Sequence, residues 1–329
     1  MMALPKPARE SISNAHRSIL TKLRAWAASP LLRFAFLIVA IVFMLLVLRN
    51  QWDAVQHYRL TLKAWPLLAS YGALFSAWLL EVNLWQRLLL ALGHALPFKR
   101  AASIWFLSNI VRYIPGNIWQ FLGMTELGAH SGLPRTTTLA SIVMHQVLSN
   151  LAGLTVGAYA ISYSKIAESS PYFFATASLL AALLLLSLIG FVRITPTVSR
   201  FVGVELPKIN LPLATVSAFF AAYCLYWLLC GTGFWLLSLA VGVVSVPPLL
   251  PWISAFAAAY VVGYLSLLTP SGLGIREGVL ALLLVRFASG NPVIVAALAA
   301  RIWMSLGELV ATAVIAMADR RLLLHAKRK

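Results

Sequence analysis

Residues 251–288 read PWISAFAAAYVVGYLSLLTPSGLGIREGVLALLLVRFA, and the fold follows from how this stretch is built. It is apolar along nearly its whole length, and it breaks once, across Pro270-Ser271-Gly272-Leu273-Gly274. Apolar runs of about 20 residues are long enough to cross a hydrocarbon core of ~30 Å at ~1.5 Å per residue. Backbone groups left unpaired in lipid are costly, so a spanning chain forms helices or a closed barrel. The apolar residues here are continuous rather than alternating, which excludes the barrel. The stretch is therefore membrane helix, interrupted at a Pro/Gly-rich break.

The same pattern recurs on both sides of it. Full spans are expected at about 33–48, 66–90, 136–162, 171–192, 213–240 and 292–316. A second interrupted element, about 101–128, breaks at Pro115-Gly116. Each interrupted element is either a re-entrant hairpin or a pair of short spans, and either choice adds an even number of crossings. The chain thus reads as an all-α, polytopic membrane helix bundle of six full spans and two broken elements. Composition agrees: 61% of the 329 residues are hydrophobic, 11% are charged, and mean hydropathy is +0.86. A water-soluble domain needs far more charge on its surface.

The net charge of +17 is distributed by topology. Segments 1–33, 92–100, 129–135, 193–212 and 318–329 hold seventeen Lys or Arg, against four in 49–65, 163–171 and 241–251. Positive charge stays on the cytoplasmic side, so both chain ends are expected in the cytoplasm of a cell with this protein in its inner membrane. Arg49, Arg59 and Lys63 run against that bias. Basic clusters at membrane surfaces answer to lipid head groups, so nucleic acid is not an expected partner. Residues 1–30 form a basic segment, either a helix on the inner leaflet or a disordered tail. No cleavable signal is expected there, because the first strong apolar run starts only near Leu31. Residues 31–318 form the membrane domain, and 319–329 a basic tail. Cys224 and Cys230 share one apolar run and offer neither a disulfide framework nor metal spacing, so no metal or cofactor is expected.

The two broken elements resemble one another. Pro115 and Pro270 lie 155 residues apart, and the same offset carries span 136–162 onto 292–316. It sets Gln146 on Arg301, Asn150 on Ser305 and Gly153 on Glu308, polar face on polar face. The charge map brings the first element in from the cytoplasmic side and the second from the outside. Repeat units of about 101–162 and 251–316 related in this way are an inverted-topology repeat, an arrangement used for alternating access.

Ionisable residues inside apolar segments mark chemistry. Glu81, Arg112, Glu126, His145, Arg276, Glu277, Arg301 and Glu308 are such residues, and each needs a partner or water, since an unpaired charge mid-span costs roughly 3 kcal/mol. Arg301, Ser305, Glu308 and Thr312 share one helix face. Arg301 and Glu308 are two turns apart, roughly 10 Å, too far to pair directly. Glu277 is the expected partner of Arg301, and Arg276 or Arg112 that of Glu308. Glu308, Glu126 and His145 are read as an internal charge network, although His145 also reads as a hydrogen-bonded interior histidine. Gly153 and Gly157 form a small-xxx-small pair that admits a close neighbouring helix. A helix restarting after Pro and Gly presents free N–H groups and the positive end of its dipole, which suits an anion. Arg112 precedes one break and Arg276 follows the other, so a lipid phosphate fits there, with simple kinking as the plainer alternative.

The segments RYIPGNIWQ at 112–120 and GYLSLLTPSGLGIREGVL at 263–280, with Arg301, resemble the paired signatures of the lysylphosphatidylglycerol synthase transmembrane-region family of flippase-like proteins. The resemblance covers residues 30–318. It implies that Arg112, Pro115, Gly116, Gln120, Pro270, Gly272, Gly274, Arg276, Glu277 and Arg301 line a lipid path. It also implies a relation to domains that move aminoacylated phosphatidylglycerol between leaflets. Bifunctional members carry a soluble aminoacyl-transferase domain that this sequence lacks, and often an acidic–basic pair where His145-Gln146 stands here.

No Gly-rich nucleotide loop, paired-histidine metal motif or catalytic-domain-sized hydrophilic stretch is present. The expected function is movement of an anionic or modified phospholipid, or of a polyprenyl-phosphate-linked lipid, between leaflets. A membrane-embedded transferase or a scaffold acting on lipid-linked substrates is the alternative. Membrane lipids are the expected partners, together with a lipid-modifying enzyme or a second copy of the chain.

Overall fold

A computed structural model describes residues 62–109, 118–162, 211–242, 247–266, 274–285 and 291–318, with the single positions Arg49, Gly272 and Phe287. The expected spans 33–48 and 171–192, both chain ends, and Arg112, Pro115, Gly116 and Pro270 lie outside them. The regular elements among the described residues are all helices, with no strand. The helices are α1 (Ala64–Ala91), α2 (Phe98–Asn109), α3 (Ile118–His130), α4 (Arg135–Ser162), α5 (Leu213–Ala240), α6 (Leu249–Leu265), α7 (Ile275–Leu284) and α8 (Asn291–Ala318).

These elements fall where apolar continuity puts them. Helices α1, α4, α5 and α8 have the length and apolarity to cross a membrane. The two interrupted stretches each become two helices, α2 with α3 and α6 with α7. At ~1.5 Å per residue, α2 is about 18 Å long and α7 about 15 Å, well short of a ~30 Å core.

Helix α8 shows which solvent the bundle is built for. Ile302, Leu306, Leu309, Val310 and Val314 point outward, while Arg301, Glu308 and Thr312 on the opposite face are buried. Leu309 is 62% exposed and its neighbour Glu308 only 8%. A helix that hides its charges and presents leucine outward is arranged for lipid rather than water. The chain is a multi-pass membrane protein.

Specific contacts fix the direction of each helix. The N–H of Lys63 donates to the carbonyl of Ala240 at 2.9 Å, so the start of α1 meets the end of α5 and the two run antiparallel. His145 reaches Tyr223 and Ser149 reaches Trp227, so α4 and α5 run parallel. Gly153 faces Val261 and Gly157 faces Ala258, so α6 runs back along α4. A Cβ on Gly157 would come within 2.8 Å of the Ala258 Cβ, and this is the close approach expected of the glycine pair. Ser254 of α6 tightens the seam: its hydroxyl accepts from the Ala160 N–H and donates to the Val156 carbonyl, standing inside the α4 ladder.

Most packing partners come in corresponding pairs. Helices α4 and α6 pack together, as do α8 and α2; α2 packs on α3 and α3 on α4, as α6 packs on α7 and α7 on α8. Helix α1 lies on α2 and α4, and α5 on α6 and α8, while α1 and α5 pack against each other.

Candidate functional site

The α6–α7 turn is built by glycine. Gly272 has φ +67° and Gly274 φ +83°, both in the left-handed region that side chains resist. A Cβ on Gly272 would lie 2.7 Å from the Gly263 carbonyl oxygen, so only glycine lets the turn rest on α6. Gly263 in turn would meet the Arg276 Cβ at 2.9 Å, which brings the first turn of α7 against α6.

That turn carries the charged residues singled out by sequence. Oε2 of Glu277 accepts from the Gly274 N–H at 2.8 Å, and its Oε1 lies 3.7 Å from Nη1 of Arg301. The expected Glu277–Arg301 pair is present. The start of α7, read as an anion site, holds the chain's own carboxylate. Arg276 is buried, its guanidinium 4.8 Å from the centroid of Tyr260 and 5.1 Å from that of Phe256, with Nη2 3.1 Å from the Met304 sulfur. Glu308 is buried on α8.

Glu126 lies at the end of α3. It forms an exposed ion pair with Arg135 at 3.1 Å, at the turn between α3 and α4. Residues near a helix end can turn a long carboxylate to the surface, which an apolar neighbourhood in sequence conceals. His145 is a hydrogen-bonded interior histidine: Nδ1 lies 2.7 Å from the Tyr223 hydroxyl and Nε2 3.6 Å from Oε1 of Glu81.

His145 borders a recess that opens among helices α1 to α6. From α1 come Trp78 and Glu81, from α2 Trp105 and Asn109, and from α3 Gln120. Helix α4 adds His145, Gln146, Ser149 and Asn150; α5 adds Tyr226 and Trp227; α6 adds Tyr260 and Tyr264. Nε2 of Gln120 donates to Oδ1 of Asn109 at 2.6 Å, pinning the tips of α2 and α3 to each other across the first break. The Trp227 indole donates to the Ser149 carbonyl at 2.7 Å, and a Cβ on Gly153 would strike that indole at 2.8 Å. Gly153 therefore seats a wall of the recess.

Of the residues expected from sequence, Gln120 and His145 line this recess. Arg276 stands behind one wall through Tyr260, while Glu277 and Arg301 bind each other on α7 and α8. Sequence reasoning named Glu81 as a buried charge without giving it a place in the site. It missed Asn109 and the aromatic walls, because Trp and Tyr in a membrane helix read as packing or interfacial residues. The offset held one clue: 155 residues carries Trp105 onto Tyr260 and Asn109 onto Tyr264, four lining positions at equivalent places.

The model of the lysylphosphatidylglycerol synthase TM region matches residues 31–307. No curated protein matches the chain.

Proposed function

This chain belongs to the lysylphosphatidylglycerol synthase transmembrane-region family, and we propose that it moves a lipid between leaflets of the inner membrane, both chain ends lying in the cytoplasm. The lipid is an anionic or modified phospholipid, or a polyprenyl-phosphate-linked lipid. One observation carries the reading: a polar recess opens at the meeting of α1–α4 with α5 and α6, beside two helices interrupted within apolar sequence. Irregular backbone at membrane depth is tolerated where it lines such a cavity.

The corresponding packing pairs support an inverted repeat in which α1–α4 and α5–α8 exchange places. In that arrangement α2–α3 and α6–α7 are re-entrant hairpins, and rocking of one unit on the other exposes the recess alternately to each side. The head group enters the recess while the acyl chains stay in lipid. Arg112, Pro115, Gly116 and Gln120 at one break, and Pro270, Gly272, Gly274 and Arg276 at the other, border its path, with the phosphate held by Arg112 and Arg276. Glu277 already occupies the start of α7 and binds Arg301. An arriving phosphate competes for the same donors, so the pair exchanges partners as the lipid passes, and Glu308 offers the second carboxylate on α8.

The Glu81–His145–Tyr223 chain at the recess favours one other reading. An acid, an imidazole and a phenol in contact suit proton transfer in a membrane-embedded transferase or in a protein accessory to one.

Purified protein in liposomes with head-group-labelled phospholipids and polyprenyl phosphates tests the proposal. Exchange of label across the bilayer above that of empty liposomes, abolished in Arg276→Ala and Arg301→Ala, is the expected result. Exchange at the empty-liposome rate with every lipid class overturns it. New covalent products from a lipid-linked donor would establish the transferase instead.

A further inference from the structure

We infer that the recess receives a sugar ring, so that the lipid moved carries a glycosyl head group; the inference rests on the translocation reading above. Four carboxamides border the space, from Asn109, Gln120, Gln146 and Asn150. Each offers both N–H donors and a carbonyl acceptor. A phosphate can use only the donors, and an ammonium group only the acceptors. A hydroxyl uses both.

The Gln120–Asn109 bond sets the polarity of one such pair. With Nε2 of Gln120 donating to Oδ1 of Asn109, the amide nitrogen of Asn109 and the carbonyl oxygen of Gln120 are left to face a ligand. A donor beside an acceptor is the complement of two neighbouring hydroxyls. Glu81 adds an acceptor on α1, and no Lys or Arg lines the recess among the described residues.

The remaining walls are aromatic: Trp78, Trp105 and Trp227, with Tyr226, Tyr260 and Tyr264. A pyranose is apolar on its C–H faces and polar around its rim, which matches flat rings alternating with carboxamides. A glycerol head group shares the neighbouring hydroxyls but has no ring face to lay against an indole. Trp105 supplies an independent observation. It lines the recess, is 3% exposed, and its indole N–H has no acceptor among the described residues. Buried donors are ordinarily satisfied, and a sugar hydroxyl would accept this one.

Binding to the full chain in nanodiscs, followed by tryptophan fluorescence, tests the inference with four probes. These are a short polyprenyl-phosphate hexose, the same polyprenyl phosphate without sugar, a monohexosyl diacylglycerol, and phosphatidylglycerol. At least one sugar lipid should bind about tenfold or more tightly than its sugar-free counterpart, and which one does so identifies the anchor. Asn109→Leu and Gln120→Leu should erase that preference. Trp105→Phe, which keeps the ring and removes the N–H, should reduce it severalfold in a protein that still elutes as one species. Equal binding of sugar and sugar-free lipids, or a preference that survives in all three variants, overturns the inference. Leaflet exchange of the same lipids separates the two readings. Sugar preference without exchange overturns translocation and leaves the sugar site, whereas exchange without sugar preference does the reverse.

Discussion

Glu277 makes two bonds with one carboxylate, closing the first turn of α7 through the Gly274 N–H and holding Arg301 of α8 at 3.7 Å. Removing Arg301 takes away the counter-charge of the partly buried Glu277, at a cost of up to roughly 3 kcal/mol, whereas removing both is far milder. Arg301→Gln alone should therefore lower the thermal midpoint in detergent, and Glu277→Gln with Arg301→Gln should recover most of it. Transport should stay low in the double variant if the pair exchanges partners during the cycle. Recovery of both stability and transport would reduce the pair to a structural fastening. The residue scale is also where sequence was most legible. A buried arginine on the polar face of α8 demands a carboxylate, and Glu277 met the demand. Glu126 pairs with Arg135 at an exposed helix end, which an apolar neighbourhood in sequence does not reveal.

Two helices can approach only as closely as the side chains between them allow, and the α4–α6 seam is set by glycine. A Cβ on Gly157 would meet the Ala258 Cβ at 2.8 Å and its backbone nitrogen at 3.0 Å. Gly157→Leu should force the helices apart, cost at least ~2 kcal/mol by overpacking, and disturb the neighbouring recess wall at Trp227, seated by Gly153. Gly72 on α1 is the matched control, with nothing within 4 Å of its added Cβ. Gly72→Ala should leave the thermal midpoint unchanged or raise it by the equivalent of ~0.5–1 kcal/mol, through helix propensity alone. A Gly157→Leu protein as stable as the parent would show that the seam gives way. Sequence disclosed the small-residue face of α4 but not its partner, because α6 lies about a hundred residues further along the chain.

Across the whole molecule, helix directions tie chain ends together in a way that topology can test. Lys63 bonds to Ala240, so the start of α1 and the end of α5 share one face of the bundle. The Trp85–Ser141 bond joins the end of α1 to the start of α4, which sets Gly93 and Gly132 at the opposite face. With Cys224 and Cys230 replaced by alanine, single cysteines at Lys63 and Gly242 should react with an impermeant maleimide added outside intact cells. Cysteines at Gly93 and Gly132 should react only after the membrane is opened. Labelling of Lys63 and Gly242 from different sides would contradict the packing, and labelling of all four in reverse would invert the orientation proposed from loop charge.

Apolar continuity, broken twice by proline and glycine, was enough to establish an all-helical membrane protein. It also placed α1, α4, α5 and α8 to within a few residues, and the two interrupted stretches that hold the other four helices, because lipid leaves a chain almost no alternative to the helix. The family was legible too, in two short motifs and an arginine. What sequence left open was convergence. Asn109, Gln120, His145, Trp227 and Tyr260 are scattered over more than 150 residues, and nothing local marks them as neighbours. Only packing brings α1 to α6 around one recess, turns the Gln120 amide onto Asn109, and leaves the Trp105 N–H without an acceptor among the described residues. Secondary structure in a membrane answers to the solvent, residue by residue, whereas a site answers to which helix faces meet, and that is a property of the assembled bundle.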